Sequence, residues 1–190
     1  MSTRSEGTLL ASRKERDAAD NRRSAENFVR LTERELDRSY AVACLILGDR
    51  DEAEDAVHDA LESAWLRWDS LRDSEYFAAW FGRIVTNVCR DRARRRRISP
   101  ITMSVLPEQP APDHFGAIPE RELLREALGT LNVDHRIVLV LRYYEDLTLD
   151  EIARRLDKRT GTVKSRLHYG LRALRASLES AERAVAEEYK

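Results

Sequence analysis

LTLDEIARRLDKRTGTVKSRLHYGLRALRASL, residues 147–178, repeats apolar side chains at helical spacing in two sets. The first set is Leu149, Ile152, Ala153 and Leu156, and the second is Val163, Leu167, Leu171, Leu174 and Leu178. Between them a charged break covers Asp157 to Thr160. The pattern predicts two helices meeting at a tight turn. Ala153 leaves little bulk at the crossing, while Val163 and Leu167 supply the packing side of the second helix. The other side then carries Thr160, Thr162, Lys164, Ser165, Arg166, His168, Tyr169 and Arg172, donors and cations suited to phosphates and base edges. Eight Lys or Arg stand against three Asp or Glu from Asp150 to Arg175, so the segment is locally basic. A helix-turn-helix that docks on duplex DNA accounts for both features. So does a plain helical hairpin with a solvated basic face, and the choice between them rests on the rest of the chain.

The chain has 190 residues, enough for one domain or two small ones. Its formal net charge is -1, so attraction to nucleic acid has to be local. Charged residues make up 35% of the sequence and there are only seven glycines, which favours long exposed helices over sheet. Period-two β-branched runs are nearly absent, and an all-α protein is expected. No apolar stretch approaches a membrane span and none resembles a signal peptide, which points to the cytoplasm and to no membrane insertion. Cys44 and Cys89 are isolated, without a CxxC or a nearby His cluster, and read as small buried hydrophobes in a reducing compartment, not as metal or redox groups.

Working back toward the N-terminus, residues 1–23 are polar and read as a mobile tail or a frayed first helix. From Ser24, the residues Phe28, Leu31, Leu36, Tyr40, Ala43, Cys44 and Leu47 can line one helix face that ends at Gly48. Next, DRDEAEDAVHDALESAWLRW (49–68) carries an apolar stripe of Ala53, Ala56, Val57, Ala60, Leu61, Ala64, Trp65 and Trp68, with Asp51 or Asp49 placed to cap it. Seven of its first fourteen residues are acidic. The helix dipole explains Asp51 and Glu52 but not carboxylates that continue past the second turn. Glu54, Asp55, Asp59 and Glu62 repel one another at a few tenths of a kcal/mol per pair, a cost that a basic partner surface would recover. A merely soluble face is the alternative.

DSLRDSE (69–75) interrupts the helices, with Ser74 placed to cap the next one. That helix, 76–97, packs Phe77, Trp80, Phe81, Ile84, Val85 and Val88 and carries Arg83, Asn87, Arg90, Arg92 and Arg94 to Arg97 on its other side and end. Six arginines in eight residues exceed what a helix C-terminus needs and suit phosphate neutralisation. Of Trp65, Trp68, Tyr76, Phe77, Trp80 and Phe81, four are accounted for by core packing, leaving one or two able to stack on an unpaired base.

All five prolines fall in SPITMSVLPEQPAPDHFGAIP (99–119), which reads as a linker, with His114 and Phe115 a possible docking spot. Two further helices, 120–131 and 133–144, offer Leu123, Leu124, Leu128, Leu131, Ile137, Val138 and Leu141 as a base for the hairpin. The expected organisation is therefore a tail (1–23), a helical domain (24–98), a linker (99–119), a second helical domain (120–180) and an acidic tail (181–190).

These motifs together resemble a bacterial RNA polymerase sigma factor of the extracytoplasmic function (ECF) group, over nearly all of residues 24–178. DEAEDAVHDALESAW (51–65) resembles the stretch of sigma region 2 that contacts the clamp helices of the largest polymerase subunit. AAWFGRIVTNVCRDRARRRR (78–97) is similar to the Trp-containing helix that follows the −10 recognition loop. LTLDEIARRLDKRTGTVKSRL (147–167) resembles the region 4 helix-turn-helix that reads the −35 element, with Arg136 matching an arginine common before that unit. Two departures stand out. His58 and Leu61 replace a usual Gln and Phe, and Asp157, Lys158 and Arg159 replace a Gly, an apolar residue and a Ser cap. Arg159 cannot accept a backbone N–H, so Thr160 is expected to take over capping.

The resemblance implies a non-enzymatic initiation factor that needs no cofactor, catalytic residue or metal. It implies polymerase contacts through Glu54, Asp55, His58, Asp59, Leu61 and Glu62. It implies −10 contacts through Arg83, Asn87, Arg90 and Arg94, and −35 contacts through Arg159, Thr160, Thr162, Lys164, Ser165, Arg166 and His168. The implied partners are core RNA polymerase (beta-prime clamp helices and beta flap), promoter DNA and an anti-sigma factor. Two rivals stay open: a conventional dimeric regulator that uses the C-terminal hairpin without polymerase, and an enzyme, for which the sequence offers no nucleophile, metal-ligand or phosphate-loop constellation.

Overall fold

The computed structural model describes residues 3–98 and 119–188, with side chains described from Arg22 to Arg96 and, with few gaps, from Leu123 to Arg183. The linker reading, with His114 and Phe115, and the last two residues lie outside this description. All regular structure in the described residues is helical, as the composition predicts: α1 (Thr3–Leu47), α2 (Arg50–Leu66), α3 (Phe77–Ile98), α4 (Pro119–Thr130), α5 (Val133–Tyr143), α6 (Leu149–Leu156) and α7 (Thr160–Glu188). Short 3-10 turns, Trp68–Ser70 and Ser74–Tyr76, bridge α2 and α3.

α1, α2 and α3 pack on one another. α2 buries Ala53, Ala56, Val57, Ala60 and Ala64, so its neighbours meet small side chains and approach closely. Asp49 caps it, accepting a hydrogen bond from the Glu52 amide at 2.9 Å. Gly48 takes the left-handed conformation (φ +75°) that ends α1, with its amide on the Cys44 carbonyl. The α1 core face matches the expected one at Phe28, Ala43 and Leu47, which are buried; Val42, Ile46, Thr32 and Ser39 join them, whereas Leu36 and Tyr40 face outward. Thr32 and Thr86 tolerate burial because each hydroxyl donates to a carbonyl one turn back, on Phe28 and Gly82. Leu124, expected in the core, is also exposed, as is Leu171 of the second apolar set.

The α2–α3 connection is held by aromatic rings. Phe28 meets Trp65, Trp68 and Phe77 edge-on, and Phe77 stacks on Phe81. The Trp68 indole N–H donates to Ser24 Oγ at 2.7 Å. Phe77 and Phe81 are buried, Trp68 and Trp80 half-buried, and Trp65 and Tyr76 exposed. Asp73, not Ser74, caps this segment: its Oδ1 accepts from the Glu75 amide at 2.9 Å at the start of the 3-10 turn that precedes α3.

α4 and α5 form the base on which α7 lies, and α6 fits between α5 and α7. Ile152, Ala153, Leu156 and Val163 are all buried at this crossing. The C-terminal helices also pack directly on α1 and α3, so one apolar cluster runs from Phe28 through Ile46, Val85 and Val138 to Ile152 and Val163.

Candidate polymerase- and DNA-binding surfaces

α2 sets its apolar stripe inward and leaves Glu54, Asp55, His58, Asp59 and Glu62 exposed, with Leu61 half-buried among them. Two of the carboxylates have a partner within the chain. Arg92 of α3 donates from Nη2 and Nε to Asp59 Oδ2 at 2.6 and 3.0 Å and lies 3.5 Å from Asp55. Partial burial pulls the Arg92 guanidinium pKa down, but the Asp59 hydrogen bond and the fields of Asp59, Asp55 and Glu52 outweigh it and push it up. Arg92 thus offsets the like-charge repulsion that the sequence pattern implies, and no spacing cue points to a partner 33 positions away.

On α3, Arg83 and Arg94 are exposed while Asn87 and Arg90 are half-buried, at spacings that share one side of the helix. The Arg90 Nε atom is buried without a hydrogen-bond partner. Arg94 donates from Nη2 to both Asp134 oxygens, at 3.0 and 3.1 Å.

The helix-turn-helix is built by local chemistry. Thr148 and Glu151 form a capping box at the start of α6, with the Thr148 amide on Glu151 Oε2 at 2.8 Å. The hydrogen bonds from the Thr148 hydroxyl and amide hold the Glu151 carboxyl below its ordinary pKa. At the other end Asp157 adopts the left-handed conformation (φ 52°), and the Lys158 amide returns to the Ala153 carbonyl at 2.9 Å. This closes the helix in the manner usually served by glycine. α7 starts at Thr160, but Thr160 does not cap it. Its hydroxyl donates to Asp150 at 2.9 Å and ties the two helices together, while the Arg159 carbonyl accepts the first helical amides.

Arg159, Thr160, Thr162, Lys164, Ser165 and His168 are exposed along the start of α7, and the Ser165 hydroxyl turns back to the Gly161 carbonyl. Arg166 is placed differently. It is half-buried and donates to Asp134 Oδ2 at 3.0 Å, fixing α7 to the start of α5.

Arg136 is a buried anchor. Its guanidinium donates to the Ile46 carbonyl of α1 at 2.7 Å and to those of Gly129 and Leu131 at 2.6 and 3.2 Å. Burial, with Arg96 adding to it, pulls its pKa down. Glu145, also buried, accepts from Arg155 at 2.7 Å and from Arg38 of α1. Neither Glu145 nor Arg38 carried a sequence signal, since their charges look like ordinary solvation until the fold brings them together.

Among the described residues no group of His, Cys, Asp or Glu could hold a metal ion, and no helix is long and apolar enough to cross a membrane. Cys89 is buried, and that burial pushes its thiol pKa up to about 12.

Two family models match the chain: Sigma-70 region 2 over residues 31–98 and Sigma-70 region 4 over residues 127–176. The chain is 37% identical over 145 residues to the ECF RNA polymerase sigma factor SigL of Mycobacterium tuberculosis, covering 74% of this chain and 82% of that one. It is 33% identical over 153 residues to the RNA polymerase sigma-E factor of Streptomyces coelicolor, covering 80% and 85%. Among solved structures it is similar to the sigma factor RpoE in complex with the anti-sigma factor NepR from Bartonella quintana. That match has TM-score 0.66 and 25% identity, and covers 81% of this chain and 98% of that one. The fold is also similar to that of CnrH in complex with the cytosolic domain of CnrY, with TM-score 0.61 and 24% identity, covering 83% and 95%.

Proposed function

The chain belongs to the ECF group of the sigma-70 family, a non-enzymatic class of transcription initiation factors, and from that membership we propose how its surfaces divide the work. α2 docks on core RNA polymerase at the beta-prime clamp helices through Glu54, Asp55, His58, Asp59, Leu61 and Glu62. The C-terminal unit also reaches the beta flap. α3 and the loop before it engage the −10 element through Arg83, Asn87, Arg90 and Arg94, with exposed Tyr76 offering a ring to an unstacked base. The start of α7 reads the −35 element.

The observation that carries this reading is the segregation of charge. A near-neutral chain displays a row of exposed carboxylates on α2 and a row of exposed donors and cations at the start of α7, on separate helices. Within the second row Lys164 and His168, one turn apart, are free to reach base edges, whereas the pairing of Arg166 with Asp134 favours an orienting or phosphate-contacting role. An anti-sigma partner is proposed because the similar RpoE chain was captured with one.

Transcription with core polymerase and a promoter library varied at −35 and −10 tests the assignment. Selective initiation from a subset with a shared sequence at both positions is expected. Specific duplex binding without any polymerase-dependent initiation would favour a conventional regulator instead.

A further inference from the structure

The start of α7 is poorly supported by its own sequence. Arg159 stands at the cap position, and its side chain has no acceptor for a backbone N–H. Gly161 is a weak helix former, and a Cβ added to it would meet nothing within 4 Å, so no close packing requires a glycine there. Residues 159–162 are all exposed, and the first buried side chain of the helix is Val163. A helix end built this way frays unless something outside it holds it.

Asp150 supplies that hold. The Thr160 hydroxyl donates to Asp150 Oδ1 at 2.9 Å, the one side-chain hydrogen bond among the described residues that ties this turn to another element. Asp150 is itself well fixed. It lies in the first turn of α6, flanked in sequence by the capping-box residues Thr148 and Glu151, and Ile152 and Ala153 just after it are buried at the crossing with Val163. Its carboxylate also stands beside the N-terminal end of α7, where the helix dipole favours negative charge.

The tie changes what this corner can offer to DNA. A threonine hydroxyl has one proton, and Asp150 holds it, so Thr160 has no donor left for a phosphate or a base acceptor. The Asp150 carboxylate repels phosphate in addition. Exposed Lys164 lies one turn on from Thr160, so the direction of the first turn sets where Lys164 reaches.

We propose that Asp150, acting through Thr160, is a positioning residue for −35 recognition: it fixes the first turn of α7 against α6 and aims Lys164, and neither Asp150 nor Thr160 reads a base. The proposal rests on the sigma-factor reading for the identity of the DNA surface. The tie between the helices is a property of the chain without DNA.

The test uses the full chain and two measurements. The first is hydrogen exchange, in the free chain, at the Thr162 and Val163 amides, which donate to the Arg159 carbonyl. The second is the ratio of affinities, by fluorescence anisotropy, for the −35 duplex that the wild type selects from a library and for a scrambled duplex. Asp150→Ala removes the acceptor and Thr160→Val the donor, and both side chains are exposed, so the core stays intact. Each variant is expected to speed exchange at both amides and to lower the affinity ratio about fivefold, the lower end of what one base contact discriminates. Asp150→Asn keeps an acceptor without the charge and Thr160→Ser keeps the hydroxyl, and both are expected to retain the wild-type ratio and exchange rates. Asp150→Asn is also expected to tighten binding of the two duplexes alike, because a negative charge is lost beside the phosphates. The double variant, Asp150→Ala with Thr160→Val, is expected to fall no further than either alone.

A ratio lowered by Thr160→Val but kept by Asp150→Ala would make Thr160 a base contact and overturn the proposal. A ratio lowered as much by Asp150→Asn as by Asp150→Ala would make the carboxylate itself the reader, and losses that add in the double variant would make the two residues independent; either result overturns it too. Unchanged amide exchange in Asp150→Ala would refute the tie whatever the duplexes show. A wild type that selects no shared duplex would strike the sigma-factor reading, and the exchange rates would still decide the tie.

Discussion

Two arginine–carboxylate clusters in this chain have the same chemistry and opposite settings. Arg92 with Asp55 and Asp59 lies over α2, with the acids about half or more exposed (70% and 51%). Glu145 with Arg38 and Arg155 lies at the junction of the two units, where the Glu145 and Arg155 side chains are 8% and 10% exposed. Burial decides what each cluster is for. In water an ion pair adds little to stability and its charges stay available to a partner. Out of water the same pair cannot be broken from one side without leaving an uncompensated charge. The exposed cluster suits recognition, and the buried one ties α1 and α6 together.

The contrast is broken most sharply by Glu145→Ala, which strands Arg155 in the interior. A loss of about 3–5 kcal/mol in unfolding free energy is expected from urea titration, and a loss below about 1 kcal/mol would place Glu145 with the surface pairs. A second contrast lies within α7, between an arginine whose charge is already held and a lysine whose charge is not. Lys164→Ala is expected to lower affinity for matched −35 duplex by ~1–3 kcal/mol more than for scrambled duplex. Arg166→Ala is expected to weaken both alike. The reverse pattern in fluorescence anisotropy would move base reading to Arg166.

The capping box provides a pH-dependent case of an exposed carboxylate. Glu151 has a folded pKa below its ordinary 4.5, so its contribution is complete above that value and fades as pH falls through the folded pKa. As pH falls below about 4.5 the wild type is therefore expected to lose thermal stability more steeply than Glu151→Gln, in melts followed by circular dichroism; parallel curves would deny the capping box its role. The smallest effect belongs to Asp59→Asn, expected to change unfolding free energy by less than about 0.5 kcal/mol. A larger loss would mean that Arg92 depends on Asp59 as Arg155 depends on Glu145.

What the sequence made legible follows the same division. Helical periodicity located α2, α3 and the α6–α7 hairpin, because one face of each is continuously apolar and local chemistry fixes the ends, as at Asp49 and Thr148. The face of α1 is less legible. Its mixed composition allows a face through Leu36 and Tyr40, and only the neighbours supplied by α2, α3 and α5 select the one through Val42 and Ile46. The Thr160 hydroxyl stands at the right place in sequence to cap α7; Asp150, brought across the turn by folding, binds that hydroxyl instead. The acidic and basic rows were visible as residue types. That Arg92 answers the first and Asp134 the second was not, since those partners are 32 to 40 positions away.

The claim that the chain grips polymerase with acid and promoter with base is tested most directly by reversing Glu54, Asp55 and Asp59 to lysine and measuring affinity for core polymerase beside affinity for −35 duplex. A loss of about 2 kcal/mol in polymerase binding, roughly 30-fold, with duplex affinity undiminished is expected. Polymerase binding and initiation that survive the triple reversal intact would contradict it.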